Sequence, residues 1–440
     1  MSFQAVKGMR DFYPDAMRVR NWILDAWRKV SLRNGFEEFD SPILEYLELF
    51  TAKSGEGIVS ELFNLTDRGG RRLALRAEMT PSLARMINAK VNSLPRPIKW
   101  FCLPQVCRAE QPQRGRGREF FQWNIDIVGE NSMLADAEGV FVAVDALREL
   151  GLSASDVVVR YSSRALLAAL LAAFGVAGES AAKAMTAIDK RPKVPAEVFA
   201  KMLAEAVPDE AGQAAIQRYL ALAEAYIYTT GSHTGGGLAE RIGVAASPAI
   251  ESAAADLAEF QRHLAAFGVA EWCRFDPQII RGLAYYTGIV YEIFDAAQSL
   301  RAVAGGGRYD NLLEALGGPA VPATGFGMGD IVLGILLAEK GKVPPGLQRP
   351  GLDFFVIDDA EGMLEKVIET VAALRAKGFS ADFSYKRQPV GKQLKDANRR
   401  GAGRAIILRP GAAAMKDLRS GEQADVPADD FLRDPGKYLA

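Results

Sequence analysis

The chain has 440 residues, 49% apolar and 24% charged, with 53 basic against 54 acidic side chains for a net charge of −1. That fits a soluble globular protein of about two to four domains and excludes a polycation, so any nucleic-acid contact must come from local basic patches. Two histidines (His233, His263) and three cysteines (Cys102, Cys107, Cys273) are too few for an HExxH helix, a Cys/His zinc finger or a disulfide framework. Neither histidine lies near a GxSxG elbow, so catalysis is expected to rest on arginine, carboxylate and backbone dipoles.

The opening MSFQAVKGMRDFYPDAM carries charges and a proline where a signal peptide is apolar. The uncharged apolar run between Arg164 and Glu179 is too short to span a bilayer. A cytoplasmic protein without a membrane partner is expected. Trp22, Ile23, Trp27 and Val30 predict a helix over Val19 to Leu32, stopping at Asn34-Gly35. Strand-like LFNLT, RRLALR, IKWFCL and FFQWNIDIV then predict an antiparallel sheet between Leu62 and Gly129. From Ala165 to about Phe267 the chain becomes alanine-rich and helical, after which YEIF and AVAGGGRYD return to strand texture. This order implies an α+β domain over 1–340 with a helical insertion at about 165–267. A Pro/Gly-rich linker follows over 341–351, and strand–helix alternation over 352–440 predicts a separate α/β domain.

The densest polar cluster is CRAEQPQRGRGREFFQWNID, Cys107 to Asp126. At strand spacing Arg108 and Glu110 share a face, as do Gln122, Asn124 and Asp126. The loop between them bears Arg114, Arg116 and Arg118, whose forked guanidinium groups suit phosphate oxygens, and Phe120 could stack on a base. The alternative is a solvated hairpin with incidental arginines. In RAEMT, Glu78 and Thr80 share a face at strand spacing and could bind an ammonium, or simply end a surface strand. In RGLAYYTG, Arg281 offers charge to a carboxylate or phosphate, while Tyr285 and Tyr286 by themselves fit core packing equally well. GGGRYD and GFGMGD allow close backbone approach to a ligand, yet neither matches a dinucleotide fingerprint, and no P-loop exists. Residues 386–409 are rich in lysine and arginine, which suits either an RNA backbone or a solvated helix face.

Taken in order, KGMRDFYP, GFEEFDSPILEYLELF, LRAEMT, CRAEQPQRGRGREFFQ, RGLAYYTGIVYE, GGGRYDNLL with GFGMG, and KDLRSGEQ resemble the class II aminoacyl-tRNA synthetases, specifically the histidyl-tRNA synthetases, over nearly the whole chain. The resemblance implies a class II catalytic domain on an antiparallel sheet, a C-terminal α/β anticodon-binding domain, and a homodimer formed through motif 1. It implies L-histidine, ATP with Mg2+, and tRNA(His) as ligands. Arg108 and Arg281 would be catalytic; Arg108, Glu110, Arg116, Arg118 and Phe120 would meet ATP. Glu78, Thr80, Arg108, Gln122, Asp126, Arg281, Tyr285 and Tyr286 would meet histidine, and Arg114, Lys386, Arg387 and Lys392 the tRNA. No resident metal site is implied.

Three positions depart from the family pattern: Val332 stands where motif 3 ends in an arginine, Ala284 where many members have aspartate, and Asp126 where glutamate is usual. The GD-apolar ending of motif 3 resembles a cyanobacterial and plastid-like subgroup. The alternatives are a non-catalytic, histidine-binding regulatory paralogue of the ATP phosphoribosyltransferase accessory type, and a class II synthetase for threonine or proline.

Overall fold

The structure, a computed structural model, describes residues 3–54, 56–191, 194–227, 247–281, 285–348, 351–386 and 388–439. The chain divides into two compact units, Met1–Val343 and Pro344–Ala440.

In the first unit α1 (Pro14–Arg33) opens on a proline, whose missing N–H is harmless in a first turn. It buries Ile23, Trp27 and Val30 at helical spacing. It ends at Asn34-Gly35, where Gly35 takes φ +78°, the left-handed conformation that glycine adopts without strain. Among the described residues twelve strands follow: β1 (Glu37–Glu38), β2 (Leu44–Tyr46), β3 (Asn64–Thr66), β4 (Arg72–Leu75), β5 (Ile98–Cys102), β6 (Gln105–Cys107), β7 (Glu119–Val128), β8 (Val157–Ser163), β9 (Cys273–Phe275), β10 (Ile289–Asp295), β11 (Ala304–Arg308) and β12 (Ala323–Gly329).

They form two sheets. Nine strands run in the order β1-β5-β7-β12-β11-β10-β8-β9, with β6 paired to β7. All pairings are antiparallel except β1 with β5 and β8 with β9. LFNLT and RRLALR lie elsewhere, in a small antiparallel sheet β2-β4-β3. There α2 (Leu47–Ser54) and α3 (Thr80–Lys90) adjoin it, and Leu47, Phe50, Leu62, Ala74 and Ala77 are its core.

Behind the large sheet, α1 and α4 (Met133–Glu149) pack as a helical layer. Trp27 stacks on Trp123 of β7 at 5.9 Å, and the Trp123 indole N–H donates to Ser31 Oγ at 2.9 Å. Between the two helices, Arg33 bridges Asp145 (2.7 Å) and Glu149 (2.5 Å), while Lys29 reaches Glu149 at 2.7 Å.

The expected insertion is helical: α5 (Arg164–Ala173), α6 (Gly178–Lys190), α7 (Ala196–Ala206), α8 (Glu210–Ile227) and α9 (Pro248–Ala266). Its last helix, α9, ends at Ala266 and returns to the layer behind the sheet. Phe260 sits edge-on to Tyr161 of β8 at 5.2 Å, and Phe267 stacks on Phe141 of α4 at 4.9 Å. Leu257, Phe260 and Leu264, at helical spacing, give α9 the apolar stripe that belongs there. His263 on this helix pairs with Glu259 at 3.3 Å; His233 lies outside the described residues. α10 (Asp330–Glu339) closes the unit.

The second unit carries the predicted alternation as β13 (Phe354–Asp358), α11 (Leu364–Ala376), β14 (Ala381–Phe383), α12 (Val390–Arg399) and β15 (Arg404–Arg409). β14, β13 and β15 are parallel; β16 (Ala412–Asp417) and β17 (Gln423–Val426) extend the sheet antiparallel. KDLRSGEQ is the β16–β17 turn, where the Asp417 carboxylate accepts from the backbone of Arg419 and Ser420 at 2.7 and 3.0 Å. Among the described residues, no helix is long and apolar enough to cross a membrane, and no cluster of three or more His, Cys, Asp or Glu could hold a metal.

Candidate active site

The site lies on the large sheet where β7, β12 and β11 run side by side. Alternation along β7 turns Gln122, Asn124 and Asp126 to one face, opposite Gly329, Gly327 and Gly325 of β12. Those glycines and Gly305 of β11 are a floor on which polar side chains lie flat. A Cβ on Gly327 would stand 2.6 Å from Gln122 Nε2, one on Gly325 would run into the Asp126 carboxylate, and one on Gly305 would overlap the Arg281 guanidinium. The glycine-rich stretches therefore accommodate the site's own side chains first, and a ligand only above them.

Two cavities open here and share Arg108, Gln122, Arg281, Gly305 and Gly327. The inner one is small, about 80 Å3, and polar. Glu78, Thr80, Arg108, Gln122, Asp126, Arg281, Tyr285 and Tyr286 all line it, together with Tyr309. The outer one, about 260 Å3, adds Glu110, Arg116, Phe120 and Arg301.

Local geometry differs from the strand reading at two places. β6 ends at Cys107, so Arg108 and Glu110 lie in the loop beyond it. β4 ends at Leu75 and Thr80 opens α3, so Glu78 and Thr80 reach the inner cavity from a strand-to-helix turn. Arg76 is buried and structural, donating to Gln105 O at 3.0 Å and pairing with Asp40 at 2.7 Å.

Arg108 is held by a 3.1 Å bond from Nε to Ala77 O, with its guanidinium 5.4 Å from the Phe120 ring centre. Arg116 pairs with Glu110. Arg118 does not line either cavity. Its Nε donates to Glu110 O at 3.1 Å, its backbone N–H donates to Gly8 O at 2.8 Å, and its carbonyl accepts from Arg108 N–H at 2.8 Å. It fastens the hairpin base because its backbone is bonded on both sides. Arg114, at the tip, pairs with Glu339.

Arg281 enters the site from a non-glycine backbone at φ +56°, a conformation that persists only where surroundings impose it. Arg164 Nη1 donates to Arg281 O at 3.1 Å, Ser162 Oγ donates to Ile279 O, and the Tyr219 hydroxyl of α8 donates to Pro277 O at 2.6 Å. Burial pulls the Arg281 pKa down, but Tyr286, Glu292 and Tyr285 outweigh it, and the net shift is upward. Its guanidinium lies 3.9 Å from Glu292 and 5.6 Å from the Tyr286 ring centre. Gly282 to Ala284, including the departure at Ala284, lie outside the described residues.

Tyr309 was not among the expected site residues. It follows GGGR, where its neighbours suggest only a glycine-rich wall. Its hydroxyl donates to Asp126 Oδ1, and its ring meets Tyr285 edge-on at 6.0 Å. Burial first, then Asp126, pushes its pKa well above the ordinary tyrosine value, so it stays a donor. The preceding Arg308 is structural. It is buried with Asp136 at 2.6 Å and also reaches Asp310 at 3.2 Å.

At the motif 3 position, Asp330 accepts from Phe121 N–H at 3.0 Å and pairs with Arg10 at 2.7 Å. Burial raises its pKa, with Arg10 opposing. Val332 is buried beside Gly115 and offers that wall no charge.

An antiparallel sheet that sets an amino-acid-sized polar pocket beside an arginine hairpin is the catalytic architecture of class II aminoacyl-tRNA synthetases. Residues 8–329 match the family described as histidyl-tRNA synthetase. The chain is 39% identical to a histidine–tRNA ligase of Opitutus terrae over 97% of this chain and 96% of that one. It is likewise 39% identical to the chloroplastic/mitochondrial histidine–tRNA ligase of Arabidopsis thaliana, over 97% and 85%. In fold, it superposes on a crystal structure of histidyl-tRNA synthetase from Nostoc sp. PCC 7120 with TM-score 0.77 at 22% identity, covering 100% of both chains. The chain belongs to the histidyl-tRNA synthetase family.

Proposed function

We propose that the chain is a histidine–tRNA ligase, joining L-histidine to ATP as histidyl-adenylate and passing the histidyl group to tRNA(His). The observation that carries this is the inner pocket, where every expected amino-acid contact converges on a cavity of side-chain size. Glu78, Thr80 and Gln122 meet the α-ammonium. Asp126, polarised by Tyr309, and Tyr286 satisfy the two imidazole nitrogens, with Tyr285 packed against Tyr286 at 4.8 Å. An amino acid lacking those polar atoms would leave buried groups unpaired, which gives strong rejection.

In the activation step a histidine carboxylate oxygen attacks the α-phosphorus, an O–P bond forms, the bond to the β-phosphate oxygen breaks, and pyrophosphate leaves. Arg108 and Arg281, which line both cavities, hold fixed positive charge where the transition state accumulates negative charge. No general base is needed, since the attacking carboxylate is already ionised. Phe120 packs on adenine, and Arg116 approaches the phosphates. Mg2+ accompanies the nucleotide and neutralises phosphate charge when bound. Glu110 and Glu292 line the outer cavity, and one or two carboxylates suffice for an ion that keeps water and phosphate ligands.

Pro344–Ala440 serves as the anticodon-binding domain, with Lys386 and Lys392 exposed for an RNA backbone; Arg387 lies outside the described residues. The engagement of Arg114 with Glu339 leaves it a weaker tRNA candidate. A homodimer through the motif 1 region is supported by exposed Ile43, Leu44, Tyr46 and Leu65 around the small sheet. The buried, unbridged cysteines suit the cytoplasmic location expected. A regulatory, non-catalytic role has no use for an intact arginine hairpin beside the pocket.

The test is ATP–pyrophosphate exchange with each of the twenty amino acids. Exchange with histidine alone is expected; none with histidine would overturn the proposal. Arg281→Ala should lower the exchange rate by about 100- to 1,000-fold with the fold intact by circular dichroism, and near-normal exchange would refute its role.

A further inference from the structure

A triphosphate in the outer cavity meets arginine on the hairpin side, but the facing wall at the start of α10 is Ile331 and Val332, both apolar. Val332 occupies the position where the resembling family ends motif 3 in an arginine. The chain segment just before β11 supplies what that wall lacks. Among the lining residues 301–304 and 331–332, Arg301 is the sole cation.

Its placement is built. The buried Asp295 carboxylate accepts from Ser299 N–H (3.0 Å), Ser299 Oγ (3.0 Å) and Leu300 N–H (2.9 Å), folding the turn after β10. Just beyond that turn, Val303 donates to Ile293 O at 2.7 Å and accepts from Gly329 N–H at 3.3 Å. Arg301 is fixed between these anchors, its Cδ lying 3.9 Å from where a Gly115 Cβ would be. Among the described residues its guanidinium forms no hydrogen bond or ion pair. Burial first, then the neighbouring Arg116 charge, lowers its pKa; Glu110 opposes, Arg108 adds to the lowering and Glu292 opposes again, with the net shift downward.

We propose that Arg301 is an ATP-binding residue, clamping the polyphosphate tail against Arg116 and supplying from the β10–β11 connection the charge absent at Val332. This rests on the proposed ligase activity for its substrate, and on the cavity geometry for its position. Guanidinium groups on both sides of the tail bind a polyanion that either side alone would hold loosely.

The experiment is a charge series, Arg301→Lys, Arg301→Ala and Arg301→Glu, in the full chain. ATP and histidine KM values are read from histidine-dependent pyrophosphate exchange, and ATP affinity from calorimetry without histidine. The expected result is a kcat/KM for ATP that falls in the order Lys, Ala, Glu, with Ala roughly 10- to 100-fold below the parent. The KM for histidine and the thermal midpoint should stay at the parent's values. ATP parameters within about twofold of the parent for both Ala and Glu would overturn the assignment. If the parent itself gave no histidine-dependent exchange, the ligase activity would fail. Calorimetry would then still decide Arg301, since an unchanged ATP affinity in Arg301→Glu would overturn it.

Discussion

On the proposed function, a single buried contact, Tyr309 with Asp126, sets selectivity. The carboxylate is one methylene shorter than the family's usual glutamate, and the Tyr309 hydroxyl stands against it. Removing that donor leaves a buried carboxylate oxygen undersatisfied. Tyr309→Phe should raise the KM for histidine by about 10- to 100-fold with little change in the KM for ATP, as steady-state exchange would show; equal losses for both substrates would argue against a pocket-specific role. Asp126 was legible in the sequence because β7 alternates and places it with Gln122. Tyr309 was not, because it reaches Asp126 from a connection after β11, 183 residues away.

At the level of elements, β11 and β12 owe their glycines to side chains arriving from neighbours. Gly327→Ala would push Gln122 off the floor, and because that neighbour is the mobile end of a long side chain, the sheet should survive. The KM for histidine should rise about tenfold, with the melting temperature nearly unchanged; a collapsed melting temperature would assign the glycine to folding instead. The α1–α4 clamp carries a pH signature. Hydrogen bonds from Lys29, then Arg33, hold the Glu149 carboxyl below its ordinary 4.5. Since the folded value is depressed, its contribution is complete above 4.5 and disappears as pH falls through the folded pKa. It amounts to no more than about 1 kcal/mol for a pair so near solvent. Glu149→Gln should flatten the acid side of the stability profile, measured by urea titration between about pH 5 and 3.

For the whole molecule, balanced charge leaves RNA binding to local features. Several basic residues of 386–409 are already engaged: Arg399 with Asp396, Arg404 with Asp417 and Arg409 with Asp359, at 2.8, 2.8 and 2.7 Å, and Arg400 with Asp382. Lys386, Lys392 and Lys395 stay exposed or half-exposed. Their replacement by alanine should raise the KM for tRNA and make aminoacylation less sensitive to salt, by about one unit of slope for each phosphate that a removed lysine had neutralised. Pyrophosphate exchange should stay at the parent rate. An unchanged salt slope would move the RNA-binding surface elsewhere.

Local pattern settled the elements: α1 and its stop, the alternation of β7, the alanine-rich helices and the βαβαβ order of the second unit all follow from period and turn chemistry, which neighbouring residues fix among themselves. Ordered motifs likewise pointed to Glu78, Thr80, Arg108, Gln122, Asp126, Arg281, Tyr285 and Tyr286, which line the inner pocket. Only the tertiary structure decided that LFNLT and RRLALR leave the main sheet, that α9 returns to the layer behind it, that Arg118 fastens the hairpin rather than facing the cavity, and that Tyr309 and Arg301 enter the site. Each of these depends on which distant strand or helix lies alongside, and such pairings are chosen by burial and hydrogen bonding across the fold, on which local spacing is silent.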